Sequence, residues 1–196
     1  YLRPPQEKTG KSVADFQSYF IERLKADKQE VLATTQEIVE TSRANMSNQS
    51  RIQRAVVRLL DAKTLDEFIH ALTIDIVNIL SVDICALIVE SNGHDIPHVH
   101  FSGVRVVPAG TINHWMPDQT CLLQDNIAGI EAIYGGGAGL VQSQLLLKLI
   151  ISPDTPPALI AFGSRDSEMF QDGMGTENVQ FLASVIERCL RLKLEV

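Results

Sequence analysis

The stretch LLDAKTLDEFIHALTIDIVNILSVDICALIV, Leu59 to Val89, carries the reading that decides the fold. Thr64 and Glu67 stand three apart, the spacing of a capping box in which the hydroxyl accepts an amide of the first turn and the carboxylate reaches back to the cap. Leu65, Phe68, Ile69, Leu72, Ile76, Ile79 and Leu80 then recur with a 3.6-residue period, so a helix lays one face on a core. The period changes at Asp83. From there to Glu90 the chain is a compact apolar run, which reads as a buried strand.

Upstream, no proline or glycine occurs in the 49 positions from Ser12 to Leu60, and these read as one long helix. Leu24, Val31, Ile38, Ile52 and Leu59 share a seven-residue register broken only by Asn45, and Leu32, Val39, Met46 and Leu60 widen it. The line three residues on holds Asp27, Thr34, Thr41, Asn48 and Ala55. Polar groups there weaken a coiled coil while fixing its register, so a weak, register-defined dimer is expected. The alternative is that the stripe folds back onto the chain's own domain. Residues 1–11, with Pro4, Pro5 and Gly10, read as a mobile lead-in, 12–62 as the dimerisation helix and 63–196 as the main domain.

Downstream, His98 to Ser102 alternates as a strand would, and Val104 to Val107 is expected to return as its hairpin partner. A helical turn is expected at Thr111 to Met116, a short strand near Cys121, and a helix capped by Asp125 that runs to Tyr134 and ends at Gly135, Gly136 and Gly137. Val141 to Ser152 and Ala158 to Gly163 read as an antiparallel pair, and Thr176 opens a closing helix with Val179, Leu182, Val185, Ile186 and Cys189 on its core face. The sum is an α+β fold: an antiparallel sheet with helices packed on one face, preceded by a long N-terminal helix.

Composition narrows the function classes. Residues 1–63 carry 11 Lys and Arg against 8 Asp and Glu, whereas residues 64–196 carry 6 against 16. So acidic a body repels nucleic acid and anionic membrane alike. The basic exception is the helical trio Arg51, Arg54 and Arg58, which reads as a solvated face. No apolar run approaches the roughly 20 residues of a membrane span and no signal peptide is visible, so a soluble cytoplasmic protein is expected. Cys85, Cys121 and Cys189, an odd number at wide spacing, read as free thiols.

Motifs for chemistry are sparse. The run YGGGAG from Tyr134 to Gly139 lacks the GK[ST] ending of a phosphate-binding loop and reads as a turn. His94, His98 and His100 fall within seven residues but match no zinc spacing, so no metal is expected and no cofactor is assigned. His114, Trp115, Cys121 and Tyr134 come from the irregular middle of the chain. Aromatics with polar edges there either line a small-molecule cavity or plug it.

The order of elements resembles a GAF domain, and Leu59 to Val89 is similar to the opening of such domains. DFQSYFIERLKAD (Asp15 to Asp27), IYGGGAGLVQSQLLLKL (Ile133 to Leu149) and ALIAFGSRDSEMFQDGMGTE (Ala158 to Glu177) are similar to strings of one GAF-like family, the domain of unknown function 484 family. The resemblance implies a GAF-like fold and a homodimer that pairs the N-terminal and C-terminal helices. It places the ligand side of the domain in the irregular middle, with His100, His114, Trp115, Cys121, Tyr134 and Gln142 as candidate pocket residues. The signatures of cyclic-nucleotide-binding GAF domains are absent. So is the Cys-His pair of bilin-binding ones, since Leu122 follows Cys121 and Ala86 follows Cys85. The expectation is therefore a non-enzymatic sensory or adaptor module. A protein scaffold with a filled pocket is the alternative, and a thiol-dependent reductase using Cys85 and Cys121 a more distant one.

Overall fold

The computed structural model describes residues 11–91, 103–153 and 155–194, with side chains described from residue 19 onward. The chain divides into two units, 1–47 and 48–196. Helix α1, Lys11–Asp61, enters the second unit at Asn48. In the first unit its apolar line faces solvent: Leu24, Val31 and Ile38 are 56%, 64% and 63% exposed. Thr34 and Thr35 donate their hydroxyls to the carbonyls of Glu30 and Val31, at 3.0 and 2.7 Å, so these polar side chains are satisfied within the helix.

In the second unit the same line turns inward. Ile52 (6% exposed) and Leu59 (0%) join Ala55 and Ala62 in the core. Expected as contacts between subunits, Ile52 and Leu59 instead bury against their own domain. The fold-back alternative thus describes the last three turns of α1.

Leu65 to Leu80 is one helical run in three parts: α2 (Leu65–His70), a π turn (Ala71–Asp75) and α3 (Ile76–Leu80). Its capping box forms and gains a partner: Thr64 Oγ1 accepts the Glu67 amide at 3.2 Å, and the Glu67 carboxylate, which feels the Thr64 cap amide, also accepts the amide of Lys63 at 2.7 Å, one residue before the cap. That Lys63 bond is the main reason the Glu67 carboxyl titrates below its ordinary range. Ser81, at φ 59°, stops α3 in the left-handed region and turns the chain into the sheet.

Five strands follow, β1 (Ile84–Ser91), β2 (Val104–Pro108), β3 (Cys121–Gln124), β4 (Ser143–Leu149) and β5 (Ala158–Ser164), in the order β2-β1-β5-β4-β3. The three pairings from β1 through β5 and β4 to β3 are antiparallel, including the expected β4–β5 pair. The exception is β2, which runs parallel to β1, in register from Leu87↔Val104 to Ser91↔Pro108. A parallel partner needs a connection of about a dozen residues. The expected strand His98–Ser102, and with it the expected hairpin to Val104–Val107, lies outside the described residues.

Period-two alternation sorts the sheet's side chains between two cores. On one face Cys85, Leu87, Leu145, Leu147, Ile160 and Phe162 pack with Leu59, Phe68, Leu72 and Ile76, and with Leu182 and Ile186 of α6 (Glu177–Leu194). These are the helices expected on one side. Ala86, Ile88, Leu146, Leu159 and Ala161 point the other way, where the irregular middle covers them.

Candidate functional site

Three short elements cover this second face: α4 (Thr111–Trp115), α5 (Glu131–Tyr134) and a 3-10 turn (Gly135–Leu140). A five-residue helix does not hold itself, and α4 is fixed from the sheet. Glu90, buried at the end of β1, accepts the Gly110 amide at 2.9 Å and the Ile112 amide at 2.7 Å, one on each carboxylate oxygen. The carboxylate thereby satisfies amides at the start of α4 that have no partner within the helix. Ile112 and Met116 are fully buried below, Trp115 packs partly buried beside them, and His114 faces solvent.

The helix expected from Asp125 is shorter than its sequence suggests. Asn126 takes φ 47° immediately after Asp125, and α5 begins only at Glu131, with Ile130 at its cap and no side-chain bond there. Gly135, at φ 55°, ends α5 as expected, but the following glycines continue as the 3-10 turn. Tyr134 is driven under this turn and is 1% exposed. Its hydroxyl lies 3.0 Å from Gln144 Oε1 and 3.3 Å from the Phe162 carbonyl, and Gln144 Nε2 donates to Gln124 Oε1 at 2.7 Å. Burial pushes the phenol's pKa up, so the ring stays neutral. Gly163 makes room for it: a Cβ there would fall 2.8 Å from Ile84, 2.9 Å from Val141 and 3.0 Å from Tyr134.

At the other edge, Arg105 of β2 stands in register beside Ile88. Its part-buried guanidinium lies over Gly135, where an added Cβ would come within 2.7 Å of Cζ. Among the described residues no hydrogen bond or ion pair engages it. Other cations of the domain are engaged: Arg58 binds Asp75 at 2.7 Å, Arg191 the Ile151 carbonyl at 2.7 Å and Lys193 the Ala62 carbonyl at 2.6 Å. The bond to Asp75 also removes Arg58 from the basic trio, leaving Arg51 and Arg54.

The expected pocket set is thus divided. Trp115 and Tyr134 share the second core, His114 stands at its rim on α4, and Gln142 exposes its side chain while its backbone ties Ile127 and Ser164. Cys121 faces the helices. His100 lies outside the described residues, as do His94 and His98. Cys85 shares the face of Cys121, but β5 and β4 stand between their strands, which puts the thiols roughly 14 Å apart at the usual strand spacing. Burial also pushes both thiols up, against the thiolate that redox chemistry needs. Glu90, Arg105 and Gln144 are the positioning groups that the sequence reading passed over. Their signal was a polar residue interrupting the apolar run of a strand, a lone one in the case of Arg105.

A family model described as "Protein of unknown function, DUF484" matches residues 6–193. The chain belongs to the DUF484 family. Its fold is similar to that in the crystal structure of the phycoerythrobilin-bound GAF domain from a cyanobacterial phytochrome, with a TM-score of 0.51 at 10% identity, over 77% of this chain and 98% of that one. At that identity the likeness establishes a GAF-like fold and nothing about the ligand. No curated protein matches the sequence. Among the described residues no helix is long and apolar enough to cross a membrane.

Proposed function

We propose that this DUF484 protein is a non-enzymatic, cytoplasmic sensory or adaptor module that works as a homodimer through α1 and α6. A GAF-like fold suggests a sensory or signalling role, and one observation carries the dimer: the seven-residue line of α1 is covered at Ile52 and Leu59 but bare at Leu24, Val31 and Ile38. Such a contiguous apolar line on a soluble protein marks an interaction surface. Phe181 and Leu192, both exposed on α6, supply a second strip. The satisfied hydroxyls of Thr34 and Thr35 let their methyl groups approach a partner helix without stranding a polar atom. The ligand half of the reading rests on Trp115 and Tyr134 at the face covered by the irregular middle.

A second reading, a scaffold that binds no small molecule, is favoured by the packing of Ile112, Met116, Ile133 and Tyr134, all at most 1% exposed, against that same face. Two measurements separate the halves. Sedimentation at micromolar concentration should give a dimer that Ile38→Glu converts to monomer with the fold intact; a wild-type monomer refutes the dimer. A metabolite panel should contain a compound that raises the melting temperature, and a panel without one favours the scaffold.

A further inference from the structure

We propose that Arg105 is the anchor for a carboxylate on the small molecule this domain senses, an inference that rests on the sensory reading above. Arginine offers five donors in a rigid fork, and leaving them part-buried without an acceptor is costly. Arg105 is nonetheless held in place, by β2 on one side and by the backbone of Gly135 on the other, with no hydrogen bond or ion pair among the described residues. Glu90, the nearest carboxylate on this face by register, directs both oxygens at the α4 amides and is not its partner. Residues 64–196 carry 16 acids against 6 bases, yet among the described residues none is bonded to Arg105.

The space needed is present on the glycine side. A Cβ on Gly136 would meet nothing within 4 Å, whereas one on Gly135 would strike the guanidinium. On this face Lys148, the other basic side chain of the sheet, donates to Asn113, and residues 64–196 carry ten more acids than bases, so a singly charged carboxylate meets less repulsion here than a phosphate dianion.

The test titrates acetate, phenylacetate, phenylacetamide and inorganic phosphate into the full chain and follows the 1H–15N signal of Arg105 Nε. Acetate and phenylacetate should give saturable shifts, with phenylacetamide inert. Affinity should fall tenfold or more in Arg105→Gln. Gly135→Ala, which displaces the guanidinium, should weaken binding similarly, so an unfolded Arg105→Gln would still leave a working variant. No response to either carboxylate up to 50 mM, equal binding in both variants, or phosphate binding more tightly than phenylacetate would each overturn the anchor. A panel metabolite whose affinity ignores Arg105→Gln overturns the anchor while the sensory reading stands. Carboxylate binding at Arg105 with a monomeric protein does the reverse to the dimer.

Discussion

Replacing Leu59 and Ile38 by alanine, one at a time, should separate the two roles of a single helical line. Leu59 is fully buried among Ala55, Phe68 and Leu72, so Leu59→Ala removes apolar burial and leaves a cavity, at a cost of about 3 kcal/mol. For a domain of this size each kcal/mol moves the melting temperature by about 2–4 °C, which predicts a fall of roughly 6–12 °C. That loss should not depend on protein concentration, because the contact lies within one chain. Ile38 is 63% exposed in the single chain, so Ile38→Ala should cost at most about 0.5 kcal/mol in the monomer. Its loss should appear only as weaker self-association. The assay is urea denaturation at two protein concentrations tenfold apart, paired with sedimentation. Equal, concentration-independent losses in the two variants would refute the division of the stripe, as would a Leu59→Ala variant with an unmoved midpoint.

Three further outcomes follow from the second face and its supports. Glu90→Ala strands the buried Ile112 amide, which should cost about 1–3 kcal/mol and loosen α4; Trp115, the sole tryptophan, should report it as a red-shifted emission. Gly163→Ala forces a methyl against Ile84, Val141 and Tyr134, so overpacking should cost about 1–3 kcal/mol, read as a lower urea midpoint. Asp83 accepts the Arg165 amide at 2.8 Å and Arg165 Nε at 2.7 Å, and the amide bond first of all holds its carboxyl below the ordinary range. Its folded pKa is thus the lower one, and its contribution is full above the unfolded value near 4 and lost as pH falls through the folded value. Asp83→Asn should therefore lower the urea midpoint at pH 7 and approach wild type as the medium is acidified below pH 4.

Most of this fold could be read from periodicity. Leu65 to Leu80 and the closing helix declare themselves because a 3.6-residue stripe has one interpretation, and β1, β4 and β5 because their apolar runs are bounded by turn residues. The direction of β2 was hidden. VRVVP has the same apolar content whether it runs with β1 or against it, and only the length of the preceding connection bears on the choice. The start of α5 was hidden too, since Asp125 is a good cap by type and its failure comes from the left-handed backbone of Asn126. In the site, Trp115 and Tyr134 were legible as large amphipathic side chains in an irregular segment. The parity of Cys121 was not: its pairing with Leu147, which fixes the face it points to, belongs to the sheet register. Glu90 and Arg105 escaped because a search for apolar runs tolerates one charged residue and then ignores it.

The π turn at Ala71–Asp75 seats one residue more than an α turn would. Excising one residue there would restore an unbroken α ladder and leave α2 and α3 in phase, with Ile76 still facing the core it fills. A deletion elsewhere between Leu65 and Leu80 would instead rotate everything beyond it by about 100°. The cost of losing a residue thus depends on where it is lost, and relatives of this chain should tolerate a one-residue gap at the π turn but not within α2 or α3.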